Sequence, residues 1–393
     1  MPAPPRSRSA RSARLSASPA AAPARARALA GALVRWFRQA HRDLPWRRTR
    51  DPYAVWVSEI MLQQTRVDVV VPYYERFLAR FPDVATLAVA DADEVLRLWS
   101  GLGYYARARN LHRAAQAIVG RHAGSFPLDV DDAQALAGIG RSTAAAIVAF
   151  ATGQRQVILD GNVKRVLARC FGVEGAVDSA PVLARLWALS ESLVPARGVE
   201  EFTQGLMDLG ATVCTRTRPA CEACPLASDC VARREGATDR LPGRKNSRPA
   251  REREVAMLVI VCRGEVLVEK RPATGIWGGL WSLPEAPAGD DAAKRVRRDY
   301  GLRVESVEEL EPFRHAFTHF TLAVRPWLVR ARGDLAPARE PFAMWLSLQD
   351  AQDAGLPAPI KRLLARLPGA VPSRGAPARA GSGAGSRAGR RDR

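Results

Sequence analysis

Leu136-Ala137-Gly138-Ile139-Gly140-Arg141-Ser142-Thr143 is the stretch on which the reading of the fold turns. Two closely spaced glycines make a tight turn between the helical segments 133–137 and 141–152. Its backbone N–H groups, with the N-terminus of the following helix, can hold a phosphate. This is a helix-hairpin-helix arrangement, with Gly138 and Gly140 as its candidate phosphate contacts. Taken alone, the same residues also suit a plain turn between two helices. The rest of the chain has to decide.

On either side of the turn, apolar residues recur at helical spacing from about Arg27 to Arg234. Blocks over 54–70, 91–98, 108–119, 133–137, 141–152 and 181–193 are separated by Gly, Pro and Asp breaks, so residues 28–234 are expected to form an all-helical domain. Residues 235–252, GATDRLPGRKNSRPARER, are polar, charged and broken by Pro and Gly, as a linker would be. A different pattern follows over 253–368. Val255–Val261 and Glu265–Glu269 are β-rich runs joined by Arg263-Gly264, a hairpin signal, and further short runs cover Ala316–Val329 and Phe342–Leu346. With helices over 290–300 and near 358–366, this half reads as α+β. The fold class is therefore multidomain, a helical domain followed by an α+β one.

A chain of 393 residues is long enough for two cores, and its formal charge of +19 points to a polyanionic partner. Much of that charge is terminal. Residues 1–27 hold six arginines and no acid, and residues 372–393 hold six arginines against Asp392. Both ends lack apolar bulk, so 1–27 and 369–393 are expected to be disordered basic tails. The first resembles a transit peptide in composition but has no clear amphipathic face. No apolar run approaches membrane-spanning length. Of six cysteines, four fall within seventeen positions, which is no disulfide framework for a chain of this size. A reducing cytoplasmic setting is expected, and a monomer.

Those four, Cys214, Cys221, Cys224 and Cys230, are spaced C-x6-C-x2-C-x5-C. Structural zinc sites pair two short clips around a long loop, whereas one compact loop with a single CxxC is better shaped to wrap a [4Fe-4S] cubane. Cys170 and Cys262 lie in apolar runs and read as core.

Two carboxyl groups stand out. Glu59, in Val55-Trp-Val-Ser-Glu59-Ile-Met-Leu62, has helical neighbours Val55, Trp56, Leu62 and Gln63, a largely apolar face. Desolvation there would raise its pKa and keep it protonated as a general acid needs, although a neighbouring polar group could equally satisfy it. Asp160 lies between the apolar run Val157-Ile-Leu and the basic helix start Gly161-Asn162-Val163-Lys164-Arg165; such an Asp can be a turn or helix cap. One carboxyl donating a proton and another staying ionised also suits cleavage of a glycosidic bond through an oxocarbenium-like state.

Trp56-Val-Ser-Glu59-Ile-Met-Leu-Gln63-Gln64-Thr65, Gly101-Leu-Gly-Tyr104-Tyr105-Ala-Arg-Ala-Arg-Asn110-Leu, Ile158-Leu-Asp160-Gly-Asn162-Val-Lys-Arg165 and the cysteine loop together closely resemble adenine DNA glycosylases of the MutY type. The resemblance runs from about Leu29 to Leu364. It implies removal of adenine mispaired with 8-oxoguanine or guanine in double-stranded DNA, with the adenine flipped out of the helix. It further implies that Glu59 protonates the departing base and Asp160 stabilises the sugar cation, with Ser142 and Asn162 in support. Gln63 and Tyr104 match positions that wedge into the stack, and Gln64, Thr65, Lys164 and Arg165 fall in the same DNA-contacting motifs. Arg42, Leu44, Trp46, Arg47 and Gln204 match the surroundings of the adenine pocket.

Ser142 stands where relatives of the endonuclease III type carry a Lys nucleophile, and a serine cannot form that Schiff base. A monofunctional enzyme is implied. The second half resembles the family's Nudix-like, 8-oxoguanine-reading domain. Gly279 and Glu285 keep the opening of a Nudix box, yet Lys294-Arg-Val-Arg-Arg-Asp299 occupies the stretch where metal-binding glutamates belong, and basic side chains cannot hold Mg2+. Phe317-Thr318-His319 matches the family's lesion-contacting loop.

Overall fold

The computed structural model describes residues 21–243, 251–317, 319–334 and 342–367. The chain divides into two compact units at Pro249/Ala250. The first carries helices α1 (Ala21–Ala40), α2 (Pro52–Leu62), α3 (Val67–Arg80), α4 (Val84–Val89), α5 (Ala92–Trp99), α6 (Ala106–Arg121), α7 (Val130–Gln134), α8 (Arg141–Thr152), α9 (Gly161–Cys170), α10 (Ala180–Leu193), α11 (Val199–Asp208) and α12 (Val231–Arg234). The all-helical expectation holds for this unit.

Aspartates start many of these helices. Asp51, Asp83, Asp91, Asp129 and Asp160 each accept from backbone N–H groups of the first turn, which would otherwise lack partners. The core is aromatic and tight: Phe77 meets Phe81 and Trp99 edge-on at 5.0 and 6.0 Å, and Trp56 is wholly buried. Fully burying side chains of this size stabilises by roughly 1.5–3 kcal/mol each.

Two sequence expectations change here. The block 54–70 is two helices, because the chain turns at Gln63–Arg66, where Gln64 takes the left-handed φ of 60°. The basic tail expected over 1–27 gives way to helix at Ala21, and Arg25 lies 5.0 Å over the Phe171 ring while donating to the Asp229 carbonyl. Residues 1–20 and 368–393 lie outside the described residues.

The second unit is an eight-stranded mixed sheet with helices. Its strands are β1 (Arg251–Cys262), β2 (Glu265–Lys270), β3 (Trp281–Ser282), β4 (Glu285–Ala286), β5 (Arg303–Glu309), β6 (Phe313–Ala316), β7 (Phe320–Arg332) and β8 (Ala343–Ser347); its helices are α13 (Ala292–Tyr300), α14 (Asp350–Asp353) and α15 (Ala358–Leu364). The sheet order is β3-β2-β1-β7-β5, with β1 and β7 parallel over eleven pairs. Leu258, Ile260, Leu267, Val296 and Val329 form its core.

Cys262 pairs with Glu265 across Arg263-Gly264, and both turn residues have positive φ, 52° and 85°. That is the turn whose twist suits a two-residue hairpin. The strand begins at Arg251, inside the expected linker, and Ala237 and Leu241 at the linker's other end are buried in the first unit. The run Ala316–Val329 is divided between β6, which ends at Ala316, and β7, which begins at Phe320 and pairs with β6 antiparallel.

Candidate active site and cysteine loop

Glu59 sits two-thirds along α2, flanked by the fully buried Trp56, Val57 and Ile60. It keeps some solvent-accessible surface as a residue, yet its carboxyl is closely surrounded by protein. Burial, joined by the Asp160 charge and opposed by Arg47, pushes its pKa up to about 8. Glu59 therefore feels the charge of a carboxyl that the sequence sets far from it.

Asp160 is the N-cap of α9, accepting from the Val163 N–H at 2.7 Å and from Asn162 Nδ2 at 3.4 Å. Burial raises its pKa, against hydrogen bonds from the Val163 and Asn162 amides and the Arg165 charge. The cap reading and the reactive reading of Asp160 are thus compatible. Ser142 does not touch this carboxylate among the described contacts; its Oγ accepts from the Leu159 N–H at 2.9 Å, fixing the segment that delivers Asp160. Asn162 passes the network on, its Oδ1 accepting from Arg165 at 2.7 Å.

The hairpin sequence forms as expected. Gly138 has φ 81°, and a Cβ there would fall 2.7 Å from Asn110 Cβ, whereas Gly140 caps α8 with φ −91° and open space around it. Only the first glycine is required by conformation. Gly140 supplies no side chain to cap α8, so the amides of its first turn stay available to an anion. Gly138→Ala is expected to destabilise the protein by about 1–3 kcal/mol in thermal unfolding, and to weaken duplex binding with it.

The DNA-contacting candidates divide. Gln63 Nε2 reaches Thr143 Oγ1 at 3.5 Å, joining the end of α2 to the hairpin, and Gln64 is exposed. Tyr104 is 48% exposed with φ 49°. Lys164 instead pairs with Asp178 at 2.8 Å, and Arg165 is held by the Cys214 and Gly210 carbonyls at 2.8 and 2.7 Å. These two basic residues are engaged within the protein.

Leu44 and Trp46 are buried on the short turn preceding α2, Trp46 edge-on to Tyr74 at 5.3 Å. Arg42 and Arg47 converge on Asp208, a residue the sequence reading missed. Arg47 grips both carboxylate oxygens at 2.8 and 2.9 Å, and Arg42 donates to Oδ1. Asp208 is 2% exposed. Burial acts to raise its pKa, but the two guanidiniums outweigh that and hold it below the usual carboxylate range. The sequence carried no comparable signal: the helical neighbours of Asp208 at three and four positions are Gln204, Gly205, Ala211 and Thr212, without the apolar face that marked Glu59. Gln204, beside it, is buried with its Oε1 unpaired among the described residues.

Cys214, Cys221, Cys224 and Cys230 line one cavity, with Arg169 and Arg233 on its wall, and none forms a disulfide. Burial and the other three sulfurs push the Cys224 thiol up to about 11. Mutual repulsion of this kind is what a bound cationic centre would relieve. Arg169, itself buried, donates to Cys214 Sγ at 3.4 Å and to the Thr215 and Arg216 carbonyls, so the loop is braced from behind. Among the described residues no three Cys, His, Asp or Glu side chains come together on a single metal ion. Four sulfurs spread around a cavity fit the separate corners of a cubane.

In the second unit Phe317 stacks on Phe320 at 4.6 Å and meets His315 edge-on at 4.7 Å, with the buried Trp277 at 6.0 Å. His319 is exposed, and Thr318 lies outside the described residues. Glu285 is paired with Arg271 at 2.9 Å, and Arg295 joins Asp290 and Asp299. The acids near the degenerate Nudix box are already neutralised.

Residues 57–191 match the family model of the HhH-GPD superfamily base excision DNA repair proteins, and residues 255–366 that of the NUDIX domain. The fold and these matches define a base-excision DNA glycosylase joined to a Nudix-like domain. A solved thermostable thymine-DNA glycosylase superimposes with a TM-score of 0.51 at 28% identity, covering 55% of this chain and 99% of its own. An adenine DNA glycosylase of Buchnera aphidicola is 34% identical over 84% of this chain and 95% of its own length. The human adenine DNA glycosylase is 31% identical over 88% of this chain and 75% of its own. The chain belongs to the adenine DNA glycosylase family. No helix among the described residues is long and apolar enough to cross a membrane.

Proposed function

We propose that this glycosylase removes adenine mispaired with 8-oxoguanine or guanine in double-stranded DNA, with Glu59 as general acid and Asp160 as stabiliser of the sugar cation. The observation that carries the reading is a buried Glu59 carboxyl, its pKa up at about 8, close enough to feel the charge of an Asp160 held as an N-cap. At neutral pH Glu59 holds a proton to give to the departing adenine, which leaves as a neutral base. Asp160, fixed by backbone amides, faces the positive charge that develops on the sugar. Flipping the adenine toward Glu59 costs a few kcal/mol, offset by Arg42, Leu44, Trp46, Arg47 and Gln204 around the base and by phosphate held at Gly138 and Gly140.

Cys214, Cys221, Cys224 and Cys230 would hold a [4Fe-4S] cluster, which when bound supplies a fold-stabilising staple for the exposed basic residues Arg216 and Arg218. The Nudix-like domain reads the lesion through Phe317, Thr318 and His319 and does not hydrolyse nucleotides, since its basic and ion-paired box offers no set of oxygen ligands for Mg2+. With Ser142 in place of a Lys nucleophile, no Schiff-base intermediate with the DNA forms.

The test is a duplex carrying one adenine opposite 8-oxoguanine. Adenine is released, the strand breaks only after alkali, and borohydride traps no adduct. Strand incision without alkali, or release from A:T at the same rate, sinks the proposal.

A further inference from the structure

Arg107, on α6, is a buried guanidinium, 8% exposed. Its Nη1 donates to the carbonyls of Ile60, Met61 and Gln63 at 3.0, 2.6 and 2.6 Å, and its Nη2 to the carbonyls of Leu102 and Gly103 at 3.3 and 3.0 Å and to Thr65 Oγ1 at 3.0 Å. The cation lies 5.4 Å from both the Trp99 and Tyr104 ring centres. Ile60 and Met61 end α2, where carbonyls lack intrahelical partners and the helix dipole is negative. A buried cation satisfied by neutral oxygens is there to hold backbone.

The two loops it holds share an unusual feature. Gln64 and Tyr104 both have left-handed φ, 60° and 49°, and both are non-glycine. The carbonyls immediately preceding them, Gln63 and Gly103, are both taken by Arg107. Left-handed backbone at such residues persists only where the surroundings over-determine it. One side chain does so for both loops at once.

We propose that Arg107 is the positioning residue that sets the loops 63–65 and 101–104 in register, so that Gln63 and Tyr104 enter the duplex together. The inference rests on the reading of those two residues as duplex-entering. Arg107 touches no DNA in this scheme. It acts through the backbone of the residues that do.

The test compares the wild-type holoenzyme with Arg107→Lys, Thr65→Val and Tyr104→Ala, all in the full chain. The probes are a duplex with A:8-oxoguanine, a matched T:A duplex, and a duplex whose adenine faces a tetrahydrofuran and is already unpaired. Lysine keeps the charge and the stem but has one nitrogen where Arg107 uses two. Arg107→Lys and Tyr104→Ala are each expected to lower the preference for mispaired over matched duplex by about tenfold. Release from the unpaired adenine by Arg107→Lys at saturating enzyme should stay near wild type. Amide exchange should quicken at 64–65 and 104–105 without a general loss of protection, a signature that a purely structural role would not give. Thr65→Val, which removes the bond from Arg107 and the longer one from Thr65 Oγ1 to the Gln63 carbonyl, should give a smaller loss in the same direction.

If Tyr104→Ala loses discrimination while Arg107→Lys and Thr65→Val keep it, the proposal is overturned and the duplex-entry reading stands. Should Tyr104→Ala behave as wild type, the duplex-entry reading falls and takes the proposal with it. Faster exchange throughout the first unit in Arg107→Lys, with Thr65→Val unchanged, would also overturn it.

Discussion

Asp160→Asn lowers single-turnover release of adenine by about 10²–10⁴-fold, with duplex affinity and thermal stability close to wild type. The separation follows from the two jobs of this side chain. As the N-cap of α9 it needs an oxygen that accepts from Val163 N–H, and asparagine is as good a cap as aspartate. As the group facing a sugar cation it needs a negative charge, which asparagine lacks. A variant that is stable, binds and turns over normally would refute the assignment; so would one that simply unfolds.

Glu59 gives the same experiment a pH axis. With its pKa at about 8, the acid form that donates to the base is lost as pH rises through 8, and the rate should fall there. Stability follows with the same sign. A carboxyl whose folded pKa lies above its ordinary 4.5 favours the folded state most below 4.5, and this contribution is lost progressively as pH rises from 4.5 through about 8. Glu59→Gln, a permanent mimic of the neutral form, should therefore be inactive yet no less stable than wild type at pH 8, with a flatter dependence of Tm on pH. An unchanged slope would argue that Glu59 is charged in the folded protein.

Much of this was legible because local patterns carry local structure. Leu136–Thr143 names its own turn, since only glycine suits Gly138, and Arg263-Gly264 names a hairpin. Glu59 was visible as an acid on an apolar face. What stayed hidden depends on contacts between distant segments. The meeting of Glu59 with Asp160 spans 101 positions and has no trace in either run. Strand β5, Arg303–Glu309, is exposed along nearly its whole length and shows no apolar alternation, because backbone bonds and ion pairs such as Arg325–Glu309, rather than a buried face, hold it on β7. The break at Gln63–Arg66 was missed because the apolar spacing continues across it. The left-handed turn is imposed from outside, by Arg107 on another helix. That Lys164 pairs with Asp178 and Arg165 with the Cys214 carbonyl was not legible, because charge is readable in a sequence and its partner is not.

Asp208→Asn is expected to cost about 3–5 kcal/mol of stability, the range for removing one partner of a buried ion pair. Asparagine can still accept a hydrogen bond, but it leaves Arg42 and Arg47 as two uncompensated cations, and Arg47 is the group that already favours ionised Glu59. Both effects have a definite sign. The folded pKa of Asp208 is depressed, so the wild type gains its stabilisation above the ordinary 3.8 and loses it as pH falls further, whereas the variant lacks that acid limb. The uncompensated guanidiniums also favour the Glu59 carboxylate, so the alkaline fall in adenine release should move to lower pH. Asp160 raises and Arg47 lowers the Glu59 pKa, and Asp208 decides how much of the Arg47 charge Glu59 feels. Thermal unfolding and a rate profile from pH 6 to 9, chosen to bracket the Glu59 pKa of about 8, read the two effects separately. A destabilised Asp208→Asn whose profile stays where the wild type has it would make Asp208 a brace for the fold alone; a shifted profile makes it the residue that keeps the general acid protonated.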